Sequence, residues 1–452
     1  MIPPTTPPAP IRTTSLPKSK VLTPPFRIMS RLLLLIPTAS YRAAAFMDAA
    51  RRLGVEVVVG TDQRQSLEFR SGGRLLTLDF KNPASGARQI ARHALKNPLA
   101  AVVGVDEESL LLAAAASKAL SLPHNAAAAI RAARDKALMR GLLKKAGVPS
   151  PDFKVFSAAG APERFAGSVR YPCVLKPARL SASQGVIRAD DAGQFISAFK
   201  RIGKILRGMS PDSKESQNFG RILAEDFIPG KEAALEGLLT GGKLRVLALF
   251  DKPDPLDGPF FEETIYVTPS RLPAAAQKQI ARRAQEAVRA LGLREGPVHA
   301  ELRIPASGPK IIEIAARSIG GLCSKSLRFK AGMSLEELIL RHALRAPMDS
   351  AERESLASGV MMIPIPRTGI LREVRGRREA LKLPGVEEIS ITIPAGHAVT
   401  ALPEGRRYLG FIFARAKRPR EAEAALRKAH ARLRFEISPP EGASLAESHP
   451  AR

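Results

Sequence analysis

The stretch GPVHAELRIPASGPKIIEIAARSIGG, residues 296–321, decides the fold. Two apolar segments flank a Ser-Gly turn, which predicts a β-hairpin. Glu301 and Glu313 lie within the two segments, and a hairpin can place them side by side on one face. Neighbouring carboxylates repel one another unless a cation lies between them, and their hard oxygen ligands suit Mg²⁺. Arg317 follows Glu313 by four residues and can direct its planar guanidinium at a transferring phosphoryl group.

A purely structural interpretation of the hairpin is also open at this point. In that interpretation Glu301 pairs with Arg303 or Lys310, and the two strands form a salt-bridged surface. Spacing alone favours neither interpretation.

Two lysines on separate elements are candidates for binding a triphosphate. Lys136 lies in RDKALM, and Lys176 ends the apolar segment YPCVLKP. Ammonium groups from two elements can converge on phosphates as point charges. Lys176 is the stronger candidate, because a lysine that closes an apolar strand is poorly placed for simple solvation.

Two segments after Lys176 fit a nucleotide site. The small, hydroxyl-rich loop ARLSASQGV, residues 178–186, can cover phosphates with its backbone N–H groups, although a plain hairpin turn explains it equally well. The stretch ILAEDFIPGKEAALEG, residues 222–237, places Glu225 and Asp226 at a strand end and Glu232 beyond a Pro-Gly turn. That order suits an adenine hinge followed by a ribose contact.

The chain has 452 residues, which predicts two to four α/β subdomains. Its opening part alternates strands and helices, as a Rossmann-like doubly wound sheet requires. The first turn, PTAS at 37–40, lacks the GxGxxG fingerprint of dinucleotide-binding folds. In this part the pattern predicts strands at 32–36, 55–59 and 100–105 and helices at 42–53 and 107–120.

The rest of the pattern is mixed, with antiparallel strands prevailing. One helix is predicted for RAARDKALMRGLLKKAGVPSP, residues 131–151, up to its Gly and Pro residues. A polar surface loop is expected at 209–220. Further helices are predicted at 273–291, 334–343 and 420–433, and strands near 172–176, 222–226, 232–239, 243–251, 297–304, 310–315, 357–365, 387–393 and 408–415.

Composition limits the classes of function that the chain can have. No apolar run is long enough to cross a bilayer, and the two cysteines, Cys173 and Cys323, are too few for a disulfide framework. A reducing, cytoplasmic setting is therefore expected. The formal charge of +27 favours anionic partners in general. Scarce aromatic residues and the absence of Trp argue against a single-stranded nucleic-acid binder.

The order of these motifs resembles that of the ATP-grasp superfamily over roughly residues 30–440. GPVHAELRI and IIEIAARSIGG are similar to the branch that contains bacterial L-amino acid ligases. The segments MMIPIPRTGILREVRG, residues 361–376, and RRYLGFIFARA, residues 406–416, are similar to the C-terminal domain of that branch.

The resemblance implies an α/β (α+β) protein with an ATP-grasp fold, an N-terminal Rossmann-like domain and a C-terminal α/β domain. The implied boundaries are a disordered tail at 1–28, a Rossmann-like domain at 29–134, an ATP-grasp domain at 135–345 with a lid near 155–225, a ligase-type domain at 346–440 and a disordered tail at 441–452. Met29 is an alternative translation start.

The resemblance also implies residue roles. ATP phosphates would be held by Lys136, Lys176, Ser183 and Gly185. The adenine and ribose would be held by Glu225, Asp226, Phe227, Ile228 and Glu232. Glu301 and Glu313 would ligate Mg²⁺, or Mn²⁺ in its place, and Arg317 would stabilise the transferred phosphoryl group. The substrate would meet Glu263, Tyr266, His299 and Ser318, with a packed histidine as the alternative for His299.

Two positions depart from the family's pattern. Ala315 stands where many ATP-grasp enzymes have Asn as a third metal ligand, so the number of metal ions is left open. Tyr266 stands where amino acid ligases often have His. Substrate identity therefore does not carry over from the resemblance.

The implied activity joins a small-molecule carboxylate to an amine through an acyl phosphate, with Mg-ATP as the energy source and no membrane partner. Two alternatives are kept. One is an ATP-grasp enzyme that uses bicarbonate or a purine-biosynthetic intermediate. The other is a basic nucleic-acid-binding protein with a vestigial ATP site, which the intact Glu301, Glu313 and Arg317 set disfavours. A homodimer is left open.

Overall fold

The computed structural model describes residues 31–63, 74–209, 220–348 and 350–439. Both predicted tails, Met29 and most of the 209–220 loop lie outside these residues, so those predictions stay untested.

The N-terminal part is a four-stranded parallel sheet in the order β3-β2-β1-β4. The four consecutive leucines of β1 are fully buried, because helices cover both faces of a parallel sheet. This confirms the predicted Rossmann-like opening. The elements are β1 Arg31–Leu35, α1 Ala43–Leu53, β2 Glu56–Thr61, β3 Leu75–Thr77, α2 Pro83–Lys96, β4 Ala101–Gly104, α3 Leu110–Ala119 and α4 Ala127–Arg134.

The predicted single helix across residues 131–145 is wrong, because it breaks at Asp135. Helix α4 ends before this residue and α5 spans Lys136–Lys145. Asp135 has an extended backbone, and its carboxylate accepts hydrogen bonds from the N–H groups of Ala137 and Leu138. An aspartate that caps a new helix in this way ends the previous one. The break places Lys136 in the first turn of α5.

The next segment forms a separate antiparallel sheet in the order β5-β8-β6-β7. Four phenylalanines between this sheet and helix α7 form its core, with centroid separations from 4.5 to 6.4 Å. We call this unit the lid. Its elements are β5 Phe153–Ser157, α6 Pro162–Ala166, β6 Cys173–Pro177, β7 Ile187–Ala189, α7 Ala192–Gly208 and β8 Arg221–Asp226.

An eight-stranded sheet forms the centre of the molecule, in the order β13-β12-β9-β10-β11-β16-β20-β18. Helix α8 packs against one of its faces through Ile280, Ala284, Ala287, Val288 and Leu291. The elements up to residue 343 are β9 Lys231–Thr240, β10 Lys243–Lys252, β11 Ile265–Thr268, α8 Ala274–Leu291, β12 Gly296–Ile304, β13 Lys310–Ala315, β14 Arg328–Phe329, β15 Met333–Ser334 and α9 Leu335–Ala343.

The C-terminal region extends this sheet. Strand β11 pairs with β16, so backbone hydrogen bonds run across the domain boundary expected at residue 345. A second, three-stranded sheet has the order β19-β17-β21. The elements are β16 Ala357–Ile363, β17 Gly369–Arg375, α10 Arg377–Leu381, β18 Val386–Ile391, β19 Ala398–Val399, β20 Gly410–Ala416, α11 Pro419–Arg432 and β21 Arg434–Ser438.

Two composition-based expectations concern cysteines and membranes. Cys173 and Cys323 are both buried free thiols, and burial raises the pKa of Cys173 to about 12. Such thiols are packing residues rather than nucleophiles. Among the helices of the described ranges, we find none with the length and apolar character needed to cross a bilayer.

Candidate functional site

The site lies on the face of the central sheet opposite helix α8. Strand β12 alternates, so Val298, Ala300 and Leu302 enter the core beneath α8 while the residues between them project to the other face. Three cross-strand rows result on that face: Lys252, Glu232 and Arg303; Phe250, Ala234, Glu301 and Glu313; and Ala248, Glu236, His299 and Ala315.

Glu301 and Glu313 are direct cross-strand partners, as the hairpin predicted. Their side chains are 17% and 26% exposed, so both are accessible from the same side. Glu301 lies 3.4 Å from the ammonium of Lys252, and Glu313 lies 3.5 Å from that of Lys136. Metal binding by this pair stays a prediction.

The alternative pairing of Glu301 with Arg303 or Lys310 is not what these strands adopt. Arg303 instead pairs with Glu232 at 2.9 Å. The register explains this result, because Arg303 lies directly opposite Glu232 on β9.

Lys252 is the main residue that sequence reasoning missed. Its ammonium is 2.6 Å from Glu232, 3.4 Å from Glu301 and in hydrogen-bond contact with Glu263. Burial alone would lower the pKa of Lys252, but the three carboxylates raise it well above its usual value. The sequence carried a usable signal, because Lys252 closes the apolar strand VLALFDK just as Lys176 closes YPCVLK.

Glu263 and Tyr266, the predicted substrate contacts, adjoin this cluster. The Tyr266 hydroxyl donates to Glu263 over 3.0 Å, and the Lys252 ammonium lies 5.1 Å from the Tyr266 ring centroid. Burial and the neighbouring charge of Glu301 raise the pKa of Glu263 to about 7. A buried carboxyl that titrates near neutrality is typical of active sites.

The second cationic group lies between the lid sheet and helix α5. Lys176 pairs with the buried Glu225 at 2.7 Å, and Arg140 pairs with the same carboxylate at 2.9 Å. Burial lowers the pKa of Lys176, and so do Arg140 and Lys136, while Glu225 opposes them. Two cations thus share the Glu225 carboxylate, and this excess of positive charge favours an anionic ligand.

Arg140 was also missed by sequence reasoning. Its side chain is fully buried, and it donates to the backbone carbonyl of Ile312 over 2.6 Å. It follows Lys136 by one helical turn, so the i, i+4 spacing on α5 was the available signal.

The loop at 178–186 joins the antiparallel strands β6 and β7, and its positive φ values at two consecutive residues also fit a type I′ hairpin turn, so the hairpin interpretation stays open. Ala182 and Ser183 have φ values of +55° and +56°, and Gly185 has φ +71°. The Lys136 ammonium donates to the carbonyl of Leu180 over 2.7 Å, which ties the loop to helix α5. Phosphate binding by Ser183 and Gly185 stays a prediction.

The residues predicted to contact adenine and ribose form contacts with other residues of the protein. The N–H of Phe227 donates to Pro172 over 3.1 Å, and its ring lies 4.3 Å from the guanidinium carbon of Arg188. Asp226 pairs with Arg170 at the lid surface, and Glu232 pairs with Lys252 and Arg303 as described above. Ile228 is buried at the end of the lid sheet. Nucleotide contacts at these residues stay predictions.

Arg317 and Ser318 lie where β13 leaves the sheet. Arg317 is 3.9 Å from Glu107 of the N-terminal domain. The buried guanidinium of Arg42 donates to the Ser318 hydroxyl and, over 2.7 Å, to the Val105 carbonyl. Arg42 is therefore a further missed residue, because only the packing of the two domains brings it here.

His299 is held between two carboxylates. Its Nδ1 contacts Glu236, and its Nε2 lies 3.1 Å from Glu301. Burial would lower the pKa of His299, but Glu236 and Glu301 raise it to about 9. The histidine is thus charged and buried next to Glu301; a substrate contact stays a prediction.

Family models match three parts of the chain. An ATP-grasp N-terminal domain matches residues 47–124, an ATP-grasp domain matches residues 169–326, and an L-amino acid ligase C-terminal domain matches residues 361–438.

Individual proteins are similar to the chain over shorter or longer ranges. Alanine–anticapsin ligase of Bacillus subtilis is 28% identical over 46% of this chain and 46% of its own length. Carnosine synthase 1 of Gallus gallus is 30% identical over 48% of this chain and 24% of its own length. The chain thus spans about half of the first relative and about a quarter of the second.

A solved structure extends the likeness to the whole fold. The crystal structure of an L-amino acid ligase from Bacillus licheniformis superposes with a TM-score of 0.76 at 25% identity, and covers 90% of this chain and 99% of that one. The chain thus carries an ATP-grasp domain between an ATP-grasp N-terminal domain and an L-amino acid ligase C-terminal domain, and it shares its overall fold with the L-amino acid ligase structure.

Proposed function

We propose that this protein uses Mg-ATP to activate the carboxylate of an amino acid as an acyl phosphate and then joins it to the amine of a second amino acid. The observation that carries the proposal is the cross-strand pair Glu301 and Glu313, with Lys136 3.5 Å from Glu313. The C-terminal domain supports the amino acid class of substrate, because it matches the L-amino acid ligase model.

The donor set fits Mg²⁺. Glu301 and Glu313 offer carboxylate oxygens on one face, and both side chains are partly accessible. The tighter group of Glu232, Glu263 and Glu301 brings carboxylate oxygens within 4.8 Å of one another, but the Lys252 ammonium already contacts all three. The more open pair is the better place for an ion, which would offset the charge of the ATP phosphates.

The chain's own cations would act on the phosphates. Lys136 and Lys176 approach from helix α5 and from the lid, and both are almost fully buried. Arg317 would stabilise the phosphoryl group as it moves from ATP to the substrate carboxylate oxygen and ADP leaves. The amine then attacks the acyl carbon, a C–N bond forms, and inorganic phosphate departs.

Glu263 is suited to receive the proton that the attacking ammonium group must lose. Its pKa, raised to about 7, lies near the operating range that favours a general base. The lid would exclude water from the acyl phosphate, because its loop at 178–186 contacts the C-terminal domain: the Gly185 N–H donates to Pro403 over 2.9 Å.

The test is a phosphate-release screen with Mg-ATP over pairs of amino acids, with bicarbonate and purine precursors as separate arms and products identified by mass spectrometry. Release that requires both a carboxylate and an amine, with an amide product, supports the proposal. Release with bicarbonate or a purine precursor and none with amino acids would replace it. Steep salt-dependent nucleic-acid binding without any ATP turnover would favour the vestigial-site alternative.

A further inference from the structure

Glu236 is a fully buried carboxylate with no assigned role. It lies in the middle of β9, with 0% exposure, directly opposite His299 on β12. Burying a carboxylate is costly unless specific partners hold it. Its partners therefore indicate what the protein gains from keeping it.

One set of partners leads to the Arg317 segment. Both carboxylate oxygens of Glu236 lie 3.1 Å from the backbone nitrogen of Ile319. Ile319 is two residues after Arg317, and the intervening Ser318 accepts a hydrogen bond from Arg42. The backbone that carries Arg317 is thus held from the central sheet and from the N-terminal domain.

The other partner leads to the carboxylate pair. Glu236 contacts Nδ1 of His299, and the opposite ring nitrogen, Nε2, lies 3.1 Å from Glu301. A rigid imidazole with both nitrogens engaged fixes the direction of the carboxylate it meets. Ala315 lies opposite His299 on the other neighbouring strand and offers no polar group there.

We propose that Glu236 is a positioning residue that, through His299 and the Ile319 N–H, sets Glu301 relative to Arg317. This inference rests on the proposed function. Glu236 acts through the residues it holds.

The primary test compares wild type with Glu236→Gln, which keeps the shape of the side chain but loses its charge and one acceptor. We expect kcat for amine-dependent ADP release to fall about 10- to 100-fold, because losing a residue that supports a metal ligand typically lowers activity by that factor. KM for ATP should change less than about two-fold, because the Lys136, Lys176 and Glu225 group is untouched. Mn²⁺ affinity in the presence of ADP, measured calorimetrically, should fall about ten-fold.

A matched control separates positioning from stability. Glu354→Gln weakens an ion pair away from the site, in which Glu354 lies 2.8 Å from Arg415. The Arg415 side chain is only 8% exposed, so the pair is partly buried. This variant should lower the melting temperature without changing kcat or Mn²⁺ affinity. If Glu236→Gln changes only the melting temperature in the same way, Glu236 is merely structural and the inference is overturned.

His299→Gln provides a second route if Glu236→Gln does not fold. It removes the contact to Glu301 but leaves the contact of Glu236 with Ile319. Mn²⁺ affinity should therefore fall, and kcat should fall less than in Glu236→Gln. The double variant should fall no further than Glu236→Gln, because both substitutions break one chain of contacts. Strictly additive losses would overturn the inference. Failure of wild type in every substrate arm would instead defeat the proposed function, while the Mn²⁺ measurement would still test Glu236.

Discussion

Glu301 and Glu313 face each other across β12 and β13, yet each meets a different lysine, Lys252 at 3.4 Å and Lys136 at 3.5 Å. The two lysines come from different elements: Lys252 ends β10 in the central sheet, and Lys136 begins helix α5. The carboxylate pair therefore lies between the Lys252 cluster and the Lys136 ammonium.

Glu313→Ala should reduce amine-dependent ADP release by at least about 100-fold, because the carboxylate that would hold the ion beside the phosphates is gone. Steady-state ADP release measures this effect. Glu286→Ala, which removes an exposed partner of Arg282 and Arg283 on α8, should leave the rate unchanged. Retained amine-dependent turnover in Glu313→Ala would remove the role proposed for Glu313.

Lys176→Ala should mainly weaken nucleotide binding, with KM for ATP raised about ten-fold or more, because a buried charge facing the phosphates is lost. Titration with ADP measures the affinity directly. Lys144→Ala is the control, because Lys144 lies in the last turn of α5 and its side chain is 70% exposed. An unchanged ADP affinity in Lys176→Ala would contradict the assignment.

Lys252→Met should destabilise the protein by about 3–5 kcal/mol, because it leaves Glu232, Glu263 and Glu301 buried without their shared cation. Chemical denaturation measures the loss. Adding Glu263→Gln to Lys252→Met should recover part of it, since one unpaired charge is removed. A double variant less stable than Lys252→Met would show that the three carboxylates do not repel one another.

The stability of the wild type should fall as pH rises from about 6.5 to 9, because the folded state holds a proton on His299 after the unfolded state has lost it. The stabilisation is complete below pH 6.5 and is lost above 9, with a slope of at most about 1.4 kcal/mol per pH unit. His299→Gln should flatten that slope, whereas substitution of the exposed His397 should not. Equal slopes in both variants would contradict a charged His299.

Arg201→Ala should loosen the lid, because Arg201 of α7 forms two hydrogen bonds, at 2.6 and 2.9 Å, with Glu404 of the C-terminal domain. Both side chains are more than 40% exposed, so global stability should change by less than about 1 kcal/mol. Faster hydrogen exchange in lid segments and more acyl phosphate lost to water are expected. Glu404→Ala should increase hydrogen exchange in the same lid segments, because it removes the same contact. Different exchange patterns in the two variants would contradict a role for this contact.

The hairpin and its neighbours were predictable from local patterns. The two apolar segments and the Ser-Gly turn predicted the hairpin, and a lysine after an apolar run identified Lys176. The exact pairing of Glu301 with Glu313 also depends on a register shift between Glu301 and Leu302, which the sequence pattern did not predict. The same rule applied to VLALFDK would have identified Lys252. Near-neighbour spacing determines these features, because backbone geometry alone repeats every two residues in a strand.

Local patterns failed where a distant partner decides the outcome. The helix breaks at Asp135 because this side chain caps α5. An aspartate at such a position can equally point to solvent, and the local sequence does not decide between the two. The Asp135 carboxylate also pairs with Arg179 and Arg221 in the lid region, 44 and 86 residues away.

The sequence alone predicted the hairpin and the two lysines, because each depends on residues a few positions apart, and the order of the motifs along residues 30–440 indicated the ATP-grasp fold. Tertiary structure alone decided that β9 lies between β10 and β12, which brings Lys252, Glu232 and Arg303 into one row and Glu236 against His299. Such contacts join side chains 20 to 71 residues apart, and no local periodicity encodes which strands become neighbours. The order of strands in the sheet therefore decides which charged side chains of this site meet.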